Sequence, residues 1–495
     1  MSKSVSNHET SYKSNTLNFQ EFRNRRHQVT IELRKSKKEH QINERRNINE
    51  NEALPVKEDN EESSAIRMTV EEMLHALHSD DKKQQLIGFQ EVRNILDCEQ
   101  NQANAIMISN SVVPVCVKML QDNSQPMLQF EAAWVLANII SGTTEQIMSV
   151  IQYNAVPHLI NLLKSKVPIH VELAAWTLAV IASNSAVTRN IVINHDIIDS
   201  LLPLLVNEIP ISLLRIIVWL ISNLCCNINT SPPFENIRQL LPLLSQLLYI
   251  SDKQVLSNVC FALSFITTND KLKIQAVIDA GVVPRLIDIL DCEENTITIP
   301  ALRTIGNIVT GTDAQTDEVI KAEILPKLVG LLQHENKLVV KDAAWIVSNL
   351  TAGNQNQIQA VLNADLFTYI RHILEQNDFD CKIEAALAVS NTIAMGSPEQ
   401  IMYMLNEYQL LKPFTDLLKA QDADTILIVL CALGKIFKLY ESVDDLKRLC
   451  ITLEEINGLD KIEALQQHEN ECIYKKANDF IDTYFCNDRD DCSND

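Results

Sequence analysis

The sequence predicts an all-α fold, a right-handed superhelical solenoid of about ten three-helix repeats preceded by a flexible basic arm. Three observations lead to this prediction: an apolar helical segment that recurs about every 42 residues, a proline that opens a second apolar run in each period, and a basic stretch near the N-terminus of an otherwise acidic chain. Recurrence at such a period is the signature of helical repeats that bury their apolar faces only against their neighbours.

The recurring segment is clearest at residues 342–353, where Trp345 and Asn349 are four residues apart and so lie on one face of a helix. The same pair recurs in two earlier segments, at Trp134 with Asn138 and at Trp219 with Asn223. With imperfect copies allowed, the tryptophan position, here called the marker position, falls at intervals of 42 or 43 on Trp134, Trp176, Trp219, Phe261, Arg303, Trp345 and Leu387. Counting outward adds Val92 before this series and Leu430 after it.

A proline in each period supports the same repeat. Proline fits the first turn of a helix, where its missing N–H costs nothing. The prolines that open an apolar run are Pro114, Pro157, Pro203, Pro242, Pro284 and Pro326. Each unit is therefore predicted to be a helix, a turn, a proline-started helix, a short loop and the marker helix, which is the three-helix armadillo design.

Composition indicates a soluble, non-secreted protein. Hydrophobic residues make up 46% of the chain and aromatic residues only 5%, which suits stacked helices with aliphatic cores. No uncharged apolar run of about 18 residues stands apart from the repeats, and the polar N-terminus has no signal-peptide core. The twelve cysteines are scattered without a C-x-x-C pair, and Cys225 and Cys226 are adjacent. We expect free thiols in a reducing compartment, with no metal site and no cofactor.

Charge divides the chain into a basic arm and an acidic body. Residues 21–48 carry nine basic and four acidic residues, or +5, so the rest carries −26 of the net charge of −21. The basic residues of the arm are Arg23, Arg25, Arg26, Arg34, Lys35, Lys37, Lys38, Arg45 and Arg46. A basic helix of this kind can bind nucleic acid, an acidic membrane or an acidic protein groove, and its charge alone does not choose among them.

The predicted organisation has five parts. Thr69 is a good N-cap and Glu71 and Glu72 stand in the first turn after it, so the repeats are predicted to begin near Ala65. The parts are a disordered tail at 1–20, the basic arm at 21–48, an acidic flexible linker at 49–64, the solenoid at 65–486 and an acidic tail at 487–495.

The marker helices predict a peptide-binding groove. The third helix of each repeat lines the concave side of such a stack, so one position per repeat forms a ladder. Asparagine amides can hold the backbone of an extended peptide, and tryptophan rings can form slots for lysine and arginine stems through cation–π attraction of about 0.5–1 kcal/mol each. Acidic residues expected near the rim, to hold the charged heads, are Glu131, Asp313, Asp342 and Glu384. The predicted ligand is an extended basic peptide.

The chain resembles importin α, the adaptor that recognises nuclear localisation signals. The resemblance is carried by the marker segments, by the C-terminal segment 458–485 and by the arm with its RNRR, ELRKSKK and ERRNI stretches. It covers residues 21 to about 486, and it implies that the arm binds importin β. It also implies that the free arm folds back into the cargo groove, that an export receptor docks on the C-terminal repeats, and that the protein shuttles between cytoplasm and nucleus, with nuclear pore proteins as further partners.

The resemblance implies two cargo grooves. The major cargo groove would use Trp134, Asn138, Gly142, Trp176, Asn184, Trp219 and Asn223. The minor cargo groove would use Arg303, Asn307, Asp342, Trp345, Asn349, Glu384 and Asn391.

Several positions depart from the family pattern. In the major groove, Val180 replaces an asparagine, Asn184 replaces the aspartate that pairs with the key cargo lysine, and Ile147 replaces a threonine. In the minor groove Leu387 replaces a tryptophan, and in the arm Glu44 replaces a lysine. Loss of a charged partner for a desolvated lysine costs about 2 kcal/mol or more. We therefore expect a weakened major groove, a larger share for the minor groove, and weak self-inhibition.

Three other functions fit this sequence less well. An enzyme is not expected, because the sequence has no glycine-rich phosphate loop, no G-x-S-x-G and no cluster of histidines and carboxylates. The alternative is a non-transport armadillo scaffold with a degenerated groove, which would have no need of the basic arm. Direct nucleic-acid binding by the arm ranks third, because the acidic body opposes it.

Overall fold

A computed structural model describes residues 68–485, apart from 99, 207, 228–229, 269, 377 and 441–442. Their contacts divide them into two compact units, an N-terminal unit that ends at Ile266 and a C-terminal unit that begins at Thr267. The elements within the described ranges are α-helices and short 3-10 segments. The predicted tail at 1–20, arm, linker, first solenoid residues 65–67 and acidic tail lie outside the described residues.

The N-terminal unit contains fourteen α-helices in its described part. They are α1 Val70–Leu77, α2 Lys82–Cys98, α3 Gln100–Ser109, α4 Val112–Leu120, α5 Pro126–Ile139, α6 Thr144–Gln152, α7 Ala155–Leu162, α8 Pro168–Asn184, α9 Ala186–Ile193, α10 Ile197–Leu201, α11 Ile211–Cys225, α12 Phe234–Arg238, α13 Leu241–Leu247 and α14 Lys253–Ile266. A 3-10 segment, Leu202–Leu205, continues α10.

The C-terminal unit contains a further fifteen in its described part. They are α15 Lys271–Asp279, α16 Val283–Ile289, α17 Asn295–Val309, α18 Asp313–Lys321, α19 Ile324–Leu331, α20 Lys337–Thr351, α21 Gln355–Asn363, α22 Leu366–Gln376, α23 Phe379–Met395, α24 Pro398–Glu407, α25 Leu411–Thr415, α26 Ala423–Leu439, α27 Val443–Glu455, α28 Gly458–Ala464 and α29 Glu471–Tyr484. Two 3-10 segments, Asp416–Lys419 and Leu465–Gln467, extend α25 and α28.

The predicted three-helix order is confirmed. Every predicted marker position from Trp134 to Leu430 lies on the third helix of a repeat, and Val92 lies on α2, the second described helix of the first repeat. The marker helices of the described chain are α2, α5, α8, α11 and α14 in the N-terminal unit, and α17, α20, α23, α26 and α29 in the C-terminal unit. Within each unit, successive marker helices pack against one another. Each unit is thus an all-α solenoid with a continuous aliphatic core.

The turn before the second helix of most repeats uses a left-handed residue. Gly281 supplies it without steric cost at φ 72°, and elsewhere a non-glycine residue takes it. Those residues are Ser111, Asn154, Asp196, Glu323, Asp365, Gln409 and Asn457. The predicted prolines then fall in the first turn of the second helix, except Pro203, which lies in the 3-10 segment after α10.

A glutamine at the start of several first helices ties its repeat to the one before. Gln357 is 1% exposed; its Oε1 accepts the Asn354 N–H, and its Nε2 donates to the Asp313 carbonyl at 2.9 Å and to Asp317 Oδ1 at 2.8 Å. Gln315 and Gln400 repeat this arrangement within the same unit. One side chain therefore caps its own helix and fixes the register of the preceding repeat.

The predicted N-cap at Thr69 is confirmed, because its hydroxyl and backbone form a capping box with Glu72 at the start of α1. Five of the cysteines whose side chains are described are buried: Cys116, Cys225, Cys226, Cys260 and Cys381. In the described ranges no single helix has the length and apolarity to cross a membrane, although one pair bent by 77°, Ala103–Ser109 with Val112–Leu120, meets these criteria jointly.

Candidate peptide-binding grooves

The marker side chains are more buried than open slots would require. Trp176, Trp219 and Trp345 are 5%, 2% and 2% exposed, whereas Trp134 is partly exposed. Trp176 and Trp219 lie on neighbouring marker helices with ring centroids 6.4 Å apart and planes tilted by 52°. Trp176 and Trp219 therefore pack together in the N-terminal unit, and Trp134 is the most accessible of its three marker indoles.

Aromatic packing fixes the Trp134 ring from one side. The Phe130 ring lies one turn earlier on α5 with its centroid 5.4 Å from Trp134, and it stacks on His170 of α8. Burial lowers the pKa of His170 below its ordinary value, so the imidazole is neutral near pH 7. This cluster therefore packs against Trp134 without adding a positive charge beside it.

The asparagine amides are anchored to neighbouring main chain or hydroxyl groups. Asn223 Nδ2 donates to the Ala179 carbonyl at 2.9 Å, and Asn391 Nδ2 donates to the Ser348 carbonyl at 2.7 Å, in each case across to the preceding marker helix. Asn307 Nδ2 donates to Thr267 Oγ1, within the C-terminal unit, at 3.1 Å. These bonds hold each carboxamide in one orientation, which suits repeated contacts to a peptide backbone.

Two groove asparagines differ from these three. Asn349 Nδ2 donates back to the Trp345 carbonyl of its own helix at 2.8 Å, so it belongs to the same row but bonds within its repeat. Asn138 is partly exposed on α5. The amide partner therefore differs among these repeats: it lies on the preceding marker helix for Asn223 and Asn391, and on the same helix for Asn349.

The expected rim position of the acidic residues is wrong for three of the four. Glu131, Asp342 and Glu384 are 2%, 1% and 1% exposed, and only Asp313, at the start of α18, is partly exposed. Two of the buried acids have arginine partners: Arg93 Nη1 lies 3.1 Å from Glu131 Oε1, and Arg303 Nε lies 2.8 Å from Asp342 Oδ2. Each arginine lies on the preceding marker helix, so both acids are paired with a cation of the protein itself.

Arg303 stands where other repeats have an aromatic marker. The residue is 5% exposed and its ion pair with Asp342 is buried. Breaking a buried pair by removing one member typically costs about 3–5 kcal/mol, because the other charge is left uncompensated. Asp342 is therefore committed to Arg303.

The departures in the major groove are visible as buried or neutral side chains. Val180 and Ile147 are 0% and 1% exposed. Asn184 ends α8; its Oδ1 accepts the Thr144 hydroxyl at 3.2 Å, and its Nδ2 is buried without a partner in the described part of the chain. An amide in this state offers a cationic ligand no net negative charge.

Gly142 has a structural role that the groove prediction did not include. A Cβ at this position would lie 1.6 Å from Gln146 Oε1, the oxygen that accepts the Thr143 N–H and the Asn104 amide. The glycine therefore admits the glutamine that ties α6 to the preceding repeat. Gly142 lies near the predicted groove because it follows the end of α5, the helix that carries Trp134 and Asn138.

Sequence reasoning missed Arg93. Its guanidinium carbon lies 5.6 Å from the Trp134 ring centroid while its Nη1 pairs with Glu131. The available signal was its position one residue after the marker Val92, which places it on α2 beside the next marker helix. The arm residues from Arg23 to Arg46 lie outside the described residues, and no group of three metal-binding side chains occurs among the residues that the structure describes.

Three family models match the chain. An importin beta binding domain matches residues 8–90, a span that includes the predicted arm. Armadillo/beta-catenin-like repeats match residues 101–141, 143–183, 270–310 and 312–352, and an atypical Arm repeat matches residues 447–495.

Curated relatives match over nearly the whole chain. Importin subunit alpha-B of Dictyostelium discoideum is 44% identical over 487 residues, covering 96% of this chain and 93% of its own length. Importin subunit alpha-3 of Arabidopsis thaliana is 36% identical over 487 residues, with coverage of 96% and 91%. Importin subunit alpha-1b of Oryza sativa subsp. japonica is 37% identical over 438 residues, with coverage of 87% and 82%.

Among solved structures, the crystal structure of an engineered protein matches 84% of this chain and 99% of its own, with a TM-score of 0.74 and 24% identity. At that identity the likeness concerns the fold alone. It agrees with the solenoid units described above.

Substitution of Gly306 tests the packing of the minor groove. A Cβ at Gly306 would lie 2.1 Å from Trp345 Cζ3, so Gly306→Ala should displace the indole and destabilise the chain by about 1–3 kcal/mol. Gly330→Ala is the matched control, because its Cβ would meet nothing within 4 Å and alanine favours the helix by about 0.5–1 kcal/mol. In urea denaturation followed by tryptophan fluorescence, the unfolding midpoint should fall for Gly306→Ala and rise for Gly330→Ala, relative to the wild type. Equal midpoints would show that the Gly306 contact does not constrain Trp345.

Proposed function

The chain belongs to the importin α family of nuclear import adaptors, and from this premise we propose that it binds cargo in two grooves of unequal strength. The major cargo groove is formed in the N-terminal unit by Trp134, Asn138, Gly142, Trp176, Asn184, Trp219 and Asn223. The minor cargo groove is formed in the C-terminal unit by Arg303, Asn307, Asp342, Trp345, Asn349, Glu384 and Asn391. Each would hold the extended basic segment of a nuclear localisation signal.

The observation that carries this proposal is the row of anchored asparagines beside the marker residues. Asn223 and Asn391 occur in different units, yet both donate to the preceding marker helix, at 2.9 and 2.7 Å. An extended peptide repeats its backbone amides at a regular rise, so fixed carboxamides one repeat apart can bind it without reading its side chains. Specificity for basic residues then comes from indole faces and acids.

The major groove should bind cargo weakly. Asn184 supplies a neutral amide where a carboxylate would pair with a cargo lysine, and its oxygen accepts the Thr144 hydroxyl. Val180 supplies no amide for the peptide backbone. Both changes remove ligand contacts while leaving the helices intact, which favours lost affinity over lost fold.

The minor groove retains more of its polar set. Asn307, Asn349 and Asn391 all keep amides held by defined partners, and Trp345 keeps its indole. Leu387 provides an apolar wall without a ring, and Asp342 is paired with Arg303. We therefore assign the minor groove the larger share of cargo recognition.

The N-terminal arm is the segment that would link the cargo-bound chain to importin β. The matched importin beta binding domain supports binding to importin β. We assign this contact to the nine basic residues of the arm and expect the free arm to compete with cargo for the grooves, weakly because Glu44 interrupts its basic run. An export receptor on the C-terminal repeats, contacts with nuclear pore proteins, and shuttling between cytoplasm and nucleus complete the proposal.

A second candidate is a non-transport armadillo scaffold, which the altered residues Val180, Asn184 and Leu387 favour. It predicts no binding of basic peptides in either groove. Importin α proteins are transport adaptors rather than enzymes, and we propose no catalytic site and no cofactor.

Restoring the acid tests the weakened major groove. Asn184→Asp should tighten binding of a monopartite basic peptide by about tenfold or more, because a carboxylate beside a desolvated lysine restores a charged contact. Asn161→Asp adds the same charge at an exposed site on α7 and should change affinity little. Calorimetric titration of both variants measures the difference. Equal affinities for the two variants would assign Asn184 no part in cargo binding.

Self-inhibition can be tested through the arm. Deletion of residues 1–64 should tighten cargo binding by less than about tenfold, because the arm competes weakly. In the full chain, Glu44→Lys should weaken cargo binding by strengthening the arm, and Glu39→Lys is a control with the same change of charge. Peptide affinity is measured with and without importin β, which should relieve the effect. Unchanged affinity on deletion of the arm would contradict self-inhibition.

A further inference from the structure

The end of the major cargo groove already contains a basic side chain of the protein itself. Arg93, on α2, extends to α5, where its guanidinium carbon lies 5.6 Å from the Trp134 ring centroid. Its Nη1 lies 3.1 Å from Glu131 Oε1. The Glu131 side chain is 2% exposed and that of Arg93 is 25% exposed, so the guanidinium is the member of the pair that meets solvent.

This arrangement has the chemistry expected for a bound cargo residue. A cation over an indole face gains quadrupole attraction, and a carboxylate beside it satisfies its N–H donors. Glu131 precedes Trp134 by three residues on α5, so both groups lie on one face of that helix. The next marker helix toward the N-terminus supplies the cation.

We propose that Arg93 is a resident cation that fills the terminal slot of the major cargo groove and thereby determines where a bound basic run must stop. The proposal rests on the proposed function and concerns its specificity. A further lysine or arginine at this slot would face a guanidinium of like charge. A neutral or acidic side chain would instead meet the exposed N–H edge of Arg93.

The sign of the expected preference is distinctive. The chain outside the arm carries a net charge of −26, so its general field should favour basic peptide residues and disfavour acidic ones. A local preference for alanine or glutamate over lysine at one peptide position therefore needs a local cation. Arg93, with its guanidinium carbon 5.6 Å from the Trp134 ring centroid, is such a cation.

The test uses the full chain and a set of peptides that share one basic core. Each peptide has lysine, alanine or glutamate as the residue that flanks the core, at the N-terminal end in one series and at the C-terminal end in another. Calorimetry compares the wild type with Arg93→Gln, which removes the resident cation. The double variant Arg93→Gln/Glu131→Gln removes the buried charge that the single variant leaves behind, so it serves if the single variant fails to fold. Arg448→Gln is the control, because the Arg448 side chain is 83% exposed in the other unit. Circular dichroism verifies folding.

For the wild type we expect one end of the peptide at which lysine binds about three- to tenfold more weakly than alanine or glutamate. In Arg93→Gln, lysine should become the best residue at that end, because Glu131 then accepts the cargo cation. In the double variant the rejection of lysine should vanish without a new preference for it.

The proposal would be overturned if the wild type and the Arg93 variants ranked the lysine, alanine and glutamate peptides in the same order of affinity. It would also be overturned if Arg448→Gln changed that order as much as Arg93→Gln does. If the core peptide binds normally in that case, only the role of Arg93 fails. If neither the wild type nor any variant binds the core peptide, the proposed cargo binding itself fails, and the role of Arg93 in specificity fails with it.

Discussion

Contact between successive marker helices is the constraint on which each unit depends. Most residues of a marker helix such as α8 or α20 are buried. Its apolar side chains are removed from water only by packing against the neighbouring repeats. The interrepeat glutamines add a directional bond to this packing, because each both caps a helix and reaches the preceding repeat. Register between repeats is thereby fixed, and the groove residues inherit their spacing from it.

The same register explains why charged groups behave differently from what their positions in sequence suggest. Arg93 and Arg303 each reach an acid on the next marker helix, and both acids are almost fully buried. Burial of a carboxylate is tolerable only with such a partner. The protein therefore contains internal cations beside two acids that the sequence analysis had assigned to a cargo cation.

The period of 42 residues and the proline in each period were sufficient to predict the helices, their order and the helix that carries each marker residue. Sequence could also place Trp345 and Asn349 on one face, since that depends on helix geometry alone. It could not predict that Asp342 pairs with Arg303, or that the Thr144 hydroxyl binds Asn184. Those contacts join residues about 40 positions apart and depend on how neighbouring repeats pack.

The central claim is that this importin α family member recognises basic signals chiefly through the minor cargo groove. The most direct measurement is calorimetric binding of one monopartite and one bipartite nuclear-localisation peptide to residues 65–495, each with Trp134→Ala and Trp345→Ala variants. The account predicts that Trp345→Ala weakens binding more than Trp134→Ala for both peptides. Tight binding that Trp134→Ala abolishes and Trp345→Ala leaves unchanged would contradict it.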